Sequence, residues 1–286
     1  MKLKGSRKNN FTFWHISEQF RGTEPAKTFS SIDNVLSLQG TMITSSPISR
    51  VIKVASGGRF FYVKTYSRGG KRLRRFLGRS RARAEWENLL FFEQIGIPTP
   101  NIVAYGQKTW YGIIKHGALI TEELPNTIDM AAMAQEQSPL LKDRRWVKQV
   151  AIQLADFTKR LHDSGFVHVD LKWRNILVTR GEKPRLFFID CPLGHKSFGF
   201  RLRRGIIKDL ACLDKIAKLH ISRSDRLFFS KSYNDRNKLD KADKRQIKKV
   251  LSFFSGRQHR KAKKPYEKLP PTQMAKNSCA TKSNRF

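Results

Sequence analysis

The sequence predicts an α+β fold, in which a small β-rich N-terminal part with one helix precedes a larger helical C-terminal part. Two β-rich runs flank the pair Gly57-Gly58, and glycines between such runs are a hairpin signal. These runs are residues 48–54 and 60–64. Within residues 80–94, Glu85, Leu89 and Phe92 fall on one face at helical spacing. This pattern predicts the one helix expected beside the strands.

The C-terminal part is dominated by a long amphipathic helix that ends at Gly165. Its apolar stripe consists of Val147, Val150, Ala151, Leu154, Phe157 and Leu161. Further helical patterns follow at residues 205–219 and 241–254. These patterns predict a helical body behind the strands of the N-terminal part.

Composition suggests four segments along the chain. Residues 1–34 are mixed and basic, and we expect an irregular or helical extension there. The β-rich part is expected over 35–124 and the helical part over 125–255. Residues 256–286 are rich in Lys, Arg, Pro and Ser, which predicts a basic, disordered tail.

The charge balance is extreme, because 57 Lys and Arg residues face 23 Asp and Glu residues in a chain of 286, a net charge of +34. Such a charge predicts attraction to polyanions: nucleic acid, an anionic membrane or a phosphorylated glycolipid. The three cysteines are scattered, which argues against a disulfide framework. We expect no signal peptide, and no apolar run approaches the ~20 residues of a spanning helix. A membrane role would therefore be peripheral.

The stretch from residue 166 to residue 178 is the most informative, because a polar loop lies there between two apolar strand-like runs. The loop has the spacing H-x-D-L-K-x-x-N, which places Asp170, Lys172 and Asn175. A further apolar run ends in Asp190. Apolar runs that each end in an acid suggest buried strands that deliver carboxylates to the edge of a site.

These residue types are the ones that phosphoryl transfer requires. Asp170 can orient an acceptor hydroxyl and take its proton, and Lys172 can offset charge on the transferred group. Asn175 and Asp190 can hold Mg²⁺ against the phosphates of ATP. The alternative, a structural loop with solvated charges, is disfavoured by the full spacing together with the following Asp.

A nucleotide site is expected upstream of this loop. Lys64 lies near the end of the second β-rich run, where a strand lysine on the nucleotide phosphates is typical of kinases, although a solvated lysine is the alternative. Glu85 is placed to turn inward and pair with Lys64, and Glu87 competes from another helix face. We expect the backbone of Glu122 and Leu124 to meet the adenine edge, at a hinge between two lobes.

With these residues in place, the chain resembles the bacterial lipopolysaccharide core kinase family, which contains the Kdo and heptose kinases. The resemblance covers roughly residues 40–255. It rests on Phe61-Tyr62-Val63-Lys64, Ala84-Glu85-Trp86-Glu87-Asn88-Leu89, Gly96-Ile97-Pro98-Thr99-Pro100, Thr121-Glu122-Glu123-Leu124, residues 168–178 and Phe188-Ile189-Asp190-Cys191-Pro192. The glutamate that precedes Trp in this family corresponds to Glu85, which favours Glu85 over Glu87 as the partner of Lys64.

The resemblance implies a two-lobed protein-kinase-like fold and an ATP- and Mg²⁺-dependent reaction. The γ-phosphate would pass to a Kdo or heptose hydroxyl of the lipopolysaccharide inner core. The implied partners are the lipid A–core glycolipid and the anionic inner-membrane surface, with no specific nucleic acid. The implied location is cytoplasmic, peripheral on the cytoplasmic face of the inner membrane.

The chain departs from the general protein kinase pattern at several points. Val169 replaces the arginine of H-R-D, Pro192 follows the metal-binding Asp by two residues, and the segment up to Asp209 is short. No G-x-G-x-x-G precedes Lys64, so residues 44–47 are the candidate phosphate-covering turn. These departures favour a glycolipid kinase over an atypical Ser/Thr protein kinase. A non-catalytic, polyanion-binding kinase-like module is the third alternative, and the intact site residues argue against it.

The remaining candidates have structural interpretations. His168 is expected to be a hydrogen-bonding residue beneath the loop, Cys191 a packed thiol and Asp209 an anchor for the loop backbone. Trp173 belongs either to the core or to a sugar-stacking surface.

Two basic clusters, Arg68–Arg83 and Lys261–Lys268, are expected to hold the protein on an anionic bilayer by charge alone. The Lys and Arg residues within Lys196–Arg204 are candidate contacts for phosphate groups of the acceptor. The sequence offers no strong amphipathic anchor for insertion into lipid.

Overall fold

The computed structural model describes residues 10–67, 79–111 and 113–255. The strands are β1 (Asn10–Ile16), β2 (Thr41–Ser45), β3 (Ser49–Ser56), β4 (Arg59–Tyr66), β5 (Ile102–Trp110), β6 (Ile113–Glu122), β7 (Thr127–Asp129), β8 (Phe166–Val167), β9 (Ile176–Thr179), β10 (Leu186–Phe188) and β11 (His195–Lys196). The helices are α1 (Glu24–Thr28), α2 (Ile32–Ser37), α3 (Arg81–Gln94), α4 (Met130–Gln135), α5 (Arg144–Asp163), α6 (Gly199–His220), α7 (Arg223–Tyr233) and α8 (Lys241–Ser252).

The N-terminal lobe is built on an antiparallel sheet. Among the described residues, six strands form this sheet in the order β1-β5-β6-β4-β3-β2. The predicted hairpin is present, since β3 and β4 pair from Ser49↔Tyr66 to Ser56↔Arg59 around Gly57-Gly58. Both glycines have positive φ, +55° and +70°, as the two central residues of a tight hairpin turn of type I′ require.

Within the segment 1–34, where an irregular or helical extension is expected, α1 and the start of α2 are helical, but Asn10–Ile16 form a strand instead. β1 pairs with β5 along its whole length, from Asn10↔Trp110 to Ile16↔Ala104, and forms an edge of the sheet. Phe20, Phe29 and Ile32 are buried in the core of this lobe. The aromatic alternation of Phe11 and Phe13 was the strand signal, which the surrounding basic residues obscured.

Helix α3 packs across the sheet as predicted. It starts at Ser80, whose hydroxyl accepts a hydrogen bond from the Arg83 amide at 2.9 Å. Trp86, Leu89 and Phe92 are buried beneath it. Helix and sheet approach so closely that a Cβ added at Gly117 of β6 would lie 2.5 Å from the Ala82 side chain. This close packing fixes the inward face of α3 relative to β4.

The C-terminal lobe is helical, as predicted, with α5 at its centre. The apolar stripe of α5 packs against Ile176, Val178 and Phe188 of the small strands β9 and β10. β9 also pairs with β7, and β8 pairs with β11, so short antiparallel ladders lie along α5. These ladders position the loop between β8 and β9 and the segment that follows β10.

Several expectations fall outside the described residues. These are the tail 256–286 and most of the basic cluster Arg68–Arg83, of which 68–78 are not described. In the described ranges, none of the helices has the length and apolar character that crossing a bilayer requires.

Candidate active site

The loop between β8 and β9 is held from below by its own backbone and by α6. The amide of His168 donates to Oδ2 of the fully buried Asp209 at 2.7 Å, so Asp209 anchors the loop as predicted. The next residue, Val169, has φ +71°, which is strained for a β-branched side chain. The loop is therefore fixed in a turn that projects Asp170 away from the core.

The predicted loop residues meet around Asp170. Lys172 Nζ lies 2.5 Å from Asp170 Oδ1, and Arg174 lies 3.5 Å from Oδ2. Asn175 Nδ2 donates to the Asp170 carbonyl at 2.9 Å, which ties the two ends of the motif together. Asp170 is half-buried, whereas Asn175 is buried. A carboxylate that is accessible and flanked by two cations suits an acceptor hydroxyl beside a transferred phosphate.

On the opposite side, Lys64 lies between two carboxylates. Its Nζ is 2.9 Å from Glu85 Oε1 and 2.6 Å from Asp190 Oδ1. Glu85 is buried and also accepts a hydrogen bond from the Tyr66 hydroxyl. Glu87 instead pairs with Arg79 and Arg83 near the surface, at 3.0 and 2.6 Å. The predicted Lys64–Glu85 pair is therefore present.

The electrostatics of this cluster follow from burial and charge pairing. Burial raises the pKa of Glu85, and burial together with the nearby Glu85 charge raises the pKa of Tyr66 well above its usual value. Burial acts to lower the pKa of Lys64, but the charges of Glu85, Tyr66 and Asp190 outweigh it and hold that pKa well above normal. For Asp190, burial is outweighed by Lys64, and the pKa of the carboxyl is lowered. Lys64 and Asp190 are therefore both charged at neutral pH.

Asp190 follows β10 in a constrained conformation with φ +56°. The amide of Ile189 donates to the Asn175 carbonyl at 3.0 Å, which brings the Asp190 segment beside Asn175. Lys64 contacts Asp190 Oδ1, so Oδ2 is available to a metal, and Asn175 Oδ1 is available because Nδ2 makes the loop hydrogen bond.

Oxygen donors of this kind fit Mg²⁺, which binds through one or two protein ligands together with water and phosphates. The described ranges hold no cluster of three or more His, Cys, Asp or Glu suited to a metal.

The Glu122–Pro125 segment begins at the end of β6, and the carboxylates of Glu122 and Glu123 both have side-chain partners. Glu122 pairs with Arg59 and Asn101, each at 2.9 Å, and Glu123 pairs with Lys53 at 2.7 Å. The amides of Glu122 and Glu123 donate to backbone carbonyls, whereas the amide of Leu124 has no acceptor in the described part of the chain. Contact of this segment with an adenine edge stays a prediction.

Three other expectations are decided by burial. Trp173 is 2 % exposed and lies in the core, so it is not a sugar-stacking surface. Cys191 is packed as predicted, and burial raises the pKa of its thiol well above the usual value. His168 makes its hydrogen bonds through the backbone, since its amide donates to Asp209 and its carbonyl accepts from the Cys191 thiol at 3.9 Å, while its ring nitrogens have no partner in the described part. Its ring packs between Phe92 and Phe188.

Sequence reasoning missed two supporting residues. Tyr66 bonds Glu85, and its position two residues after Lys64 on one strand was the available signal, since alternate residues share a face. Asn88 donates to the carbonyls of Cys191 and Gly194, at 2.6 and 3.0 Å. Asn88 thus holds the segment after Asp190 against α3. Its only sequence signal was its place three residues after Glu85.

The two-lobed fold, with a strand lysine that pairs with a helix glutamate and with the Asp after β10, is protein-kinase-like. The chain belongs to the Lipopolysaccharide kinase (Kdo/WaaP) family, whose sequence model matches residues 33–233. Membership places it among the phosphotransferases of lipopolysaccharide biosynthesis and implies use of ATP.

Individual relatives agree with this assignment. The chain is 31 % identical over 143 residues to the 3-deoxy-D-manno-octulosonic acid kinase of Haemophilus influenzae, covering 46 % of this chain and 56 % of that one. It is 28 % identical over 256 residues to the lipopolysaccharide core heptose(I) kinase WaaP of Pseudomonas aeruginosa, covering 82 % and 89 %. The chain thus spans only about half of the first relative, at 56 %, and most of the second, at 89 %.

A solved structure described as WaaP in complex with acyl carrier protein has the same fold. It superposes with a TM-score of 0.63 at 21 % identity, and the match covers 87 % of this chain and 98 % of that one. This likeness confirms the two-lobed α+β architecture.

Proposed function

We propose that the protein is an ATP-dependent kinase that transfers a γ-phosphate to a sugar hydroxyl, of Kdo or heptose, in the lipopolysaccharide inner core. The observation that supports this most strongly is the position of Lys64, within 2.9 Å of Glu85 and 2.6 Å of Asp190. These three residues come from a strand, a helix and a loop that lie far apart in the sequence. A structural role alone does not require a largely buried cation between two carboxylates, because such pairing offsets only part of the desolvation cost.

Each residue has a proposed task on the nucleotide side. Lys64 binds the phosphates of ATP, and Glu85 holds the lysine in position from the buried face of α3. Asn175 and Asp190 hold Mg²⁺, which neutralises charge on the phosphates when it is bound. The amide of Leu124 and the carbonyl of Glu122 contact the adenine edge.

On the acceptor side, Asp170 accepts the proton of the sugar hydroxyl and orients its oxygen toward the phosphate. Lys172 and Arg174, which flank its carboxylate at 2.5 and 3.5 Å, offset the charge of the transferred group. The rigid turn around Val169 lets Asp170 act without rearrangement of the loop.

A sugar acceptor is favoured over a peptide by the segment between Asp190 and α6. It contains the two-residue strand β11, which pairs with β8, and α6 starts at Gly199. Little chain therefore remains there to form a docking surface for an extended peptide. Membership of the Kdo/WaaP family points in the same direction.

The proposed location is cytoplasmic and peripheral, on the cytoplasmic face of the inner membrane. There the protein would meet a lipid A–core glycolipid, and its charge of +34 favours an anionic surface. We propose no specific nucleic acid partner, because the family acts on a glycolipid.

The decisive experiment compares core oligosaccharide from cells with the wild-type chain, with no chain and with Asp170→Ala. Mass spectrometry should show one phosphate more per core in the wild type than in the other two, and fragmentation should place it on Kdo or heptose. Identical core masses in all three strains would refute a lipopolysaccharide acceptor. A phosphate that persists with Asp170→Ala would refute the assignment of Asp170.

We also propose acyl carrier protein as a partner, the molecule named for the structurally similar WaaP. The supporting observation is an apolar cavity of about 500 Å³ in the C-terminal lobe, suited to an acyl chain. It is lined by residues of α5, α6, α7 and α8, including Val150, Leu154, Leu213, Phe229 and Val250.

Gel filtration with purified carrier, acylated and unacylated, tests this partner. Val150→Trp should fill the cavity and abolish co-elution with the acylated form. Ile152→Trp is the control, because Ile152 lies on the same helix but is 53 % exposed. This variant should still co-elute with the acylated carrier. Absence of a complex with the wild type would refute the partnership, and equal binding of both carrier forms would refute the role of the cavity.

A further inference from the structure

The start of α6 exposes aromatic side chains to an unusual degree. Phe198 is 83 % exposed and Phe200 is 75 % exposed, the highest values among the large apolar residues of the described ranges. Phe198 precedes the helix as its N-cap, and Phe200 lies in its first turn. Leaving two phenyl rings in water forgoes the free energy of burial, so such a pair marks a surface that meets another body.

The same surface is cationic. Lys196, Arg201, Arg203 and Arg204 are all exposed, and no acidic residue occurs between Asp190 and Asp209. Arg203 and Arg204 follow Phe200 by three and four residues, so they share its face of the helix. In the described part of the chain none of these arginines pairs with a carboxylate, in contrast to Arg160 on α5, which pairs with Asp156 at 2.7 Å.

This surface is rigidly joined to the loop that bears Asp170. β11 pairs with β8 through His195↔Val167 and Lys196↔Phe166, and the Ser197 amide donates to the Gly165 carbonyl at 2.7 Å. At the other end, Asp209 of α6 binds the His168 amide. An α-helix rises ~1.5 Å per residue, so Gly199 lies roughly 15 Å along the helix axis from Asp209.

We propose that Lys196, Phe198, Phe200, Arg201, Arg203 and Arg204 form an anchor, here called the α6 anchor, that docks on an anionic phospholipid bilayer. The phenyl rings insert at the interface and the cations contact lipid phosphates. The inference rests on the proposed function, since a glycolipid acceptor keeps its acyl chains in the bilayer. Docking by this surface keeps the catalytic loop within roughly 15 Å of the lipid, the rise of the helix between Gly199 and Asp209, and therefore close to a glycolipid head group.

The anchor differs from what the basic clusters of the sequence predict. Those clusters are expected to bind by charge alone, which does not select an orientation. The α6 anchor adds apolar insertion, and it is joined to the Asp170 loop through the β11–β8 pairing and Asp209. Apolar insertion at the interface resists salt, whereas attraction between charges is screened.

The test is sedimentation of the full chain with vesicles of phosphatidylglycerol and phosphatidylcholine. Phe198→Ser with Phe200→Ser should weaken binding on the order of tenfold, and the loss should persist at high salt. Arg201→Gln, Arg203→Gln and Arg204→Gln together should weaken it on the order of a hundredfold at low salt, because each cation near an anionic surface is worth roughly a factor of five.

Matched controls separate the anchor from general charge and hydrophobicity. Phe11→Ser with Leu219→Ser removes residues that are 63 % and 72 % exposed elsewhere, and it should leave binding unchanged. Lys241→Gln, Lys244→Gln and Lys248→Gln remove equal charge from α8 and should have the smaller effect. Equal losses in the anchor and control variants would overturn the proposal.

Activity distinguishes failure of the anchor from failure of the proposed function. The anchor variants should lose phosphorylation of bilayer-embedded lipopolysaccharide but keep it on delipidated core oligosaccharide. Equal loss on both acceptors would mean that the arginines bind the acceptor itself, which overturns docking on the bilayer. If the phenylalanine variants lost RNA binding but kept vesicle binding, the α6 anchor would be a nucleic-acid surface. That result would overturn docking on the bilayer. A wild type inactive on both acceptors refutes the kinase assignment, while the vesicle experiment still decides the anchor.

Discussion

The nucleotide side and the acceptor side of the site are built in opposite ways. On the nucleotide side, Glu85 and Tyr66 are buried and bond each other, and Lys64 links Glu85 to Asp190, whose side chain is 41 % exposed. On the acceptor side, Asp170 and Lys172 are partly exposed, and Arg174, the second cation beside Asp170, is exposed.

The difference follows from burial. A buried ionic group must be paired, or its desolvation costs several kcal/mol, so the nucleotide side tolerates little variation. Exposed cations pay no such penalty, so the acceptor side is free to vary with the sugar that it meets. The two sides should therefore respond differently to substitution, and the following experiments can break or sharpen this contrast.

The largest effect is expected at Asp170. Asp170→Ala should lower kcat by about 10²–10⁴-fold, since a positioned general base contributes that much, and should leave the melting temperature close to that of the wild type. Steady-state kinetics with calorimetry measures both. Asp163→Ala is the control and should retain activity, because Asp163 is an exposed aspartate that pairs with Lys159 on α5, away from the site residues. Near-normal kcat for Asp170→Ala would exclude it as the base.

Lys64→Ala and Glu85→Ala should each reduce activity strongly and should be non-additive. Because each substitution breaks the same Lys64–Glu85 ion pair, the double variant should resemble the worse single variant. The coupling energy should be about 0.5–3 kcal/mol. Kinetics of the four-member cycle measures this. Glu87→Ala is the control, because its surface pairs with Arg79 and Arg83 are worth about 0–1 kcal/mol. Simple additivity would contradict the contrast between the buried nucleotide side and the exposed acceptor side.

Asp190→Asn should raise the Mg²⁺ concentration needed for half-maximal activity, because a neutral amide oxygen is a weaker ligand than a carboxylate oxygen. Titration of initial rate against Mg²⁺ is the measurement. The loss should be smaller than for Asp170→Ala at saturating metal. Asp163→Asn again serves as the control. An unchanged metal requirement would remove Asp190 from the metal site.

The smallest expected effect concerns stability and pH. Burial lowers the pKa of His168 below its ordinary 6.5, and its ring nitrogens have no partner in the described part. The unfolded chain therefore binds more protons below about pH 6.5, so acidification destabilises the fold, by at most about 1.4 kcal/mol per pH unit. The Phe side chain of His168→Phe can pack between Phe92 and Phe188. In this variant the free energy of unfolding, measured by denaturant melts, should depend less on pH below about pH 6.5. The exposed His195→Phe is the control, and equal slopes for His168→Phe and wild type would contradict this.

Much of the site was predictable because it is local in sequence. The spacing of Asp170, Lys172 and Asn175 lies within one loop, and the turn that joins them follows from that spacing. Glu85 could be placed by helical periodicity alone, since the residues that share its face must pack on the sheet. The family resemblance added the choice of Glu85 over Glu87.

The first strand was not predictable from its composition. The backbone ladder of β1 is formed with β5, about ninety residues further along, and no local signal specifies that pairing. The same holds for the ring of His168, whose unbonded position between Phe92 and Phe188 depends on how three elements pack.

By itself, the sequence determined which chemical groups are present and which of them share a loop or a helix face, because backbone geometry sets those periodicities. Only the tertiary structure decided which groups meet across the chain and which remain in water. Lys64 and Asp190 are 126 residues apart and touch because α3, β4 and β10 share one core. Phe198 and Phe200 stay exposed because α6 is held by β11 and Asp209 with its start turned outward, and solvent exposure depends on neighbours that no local pattern names.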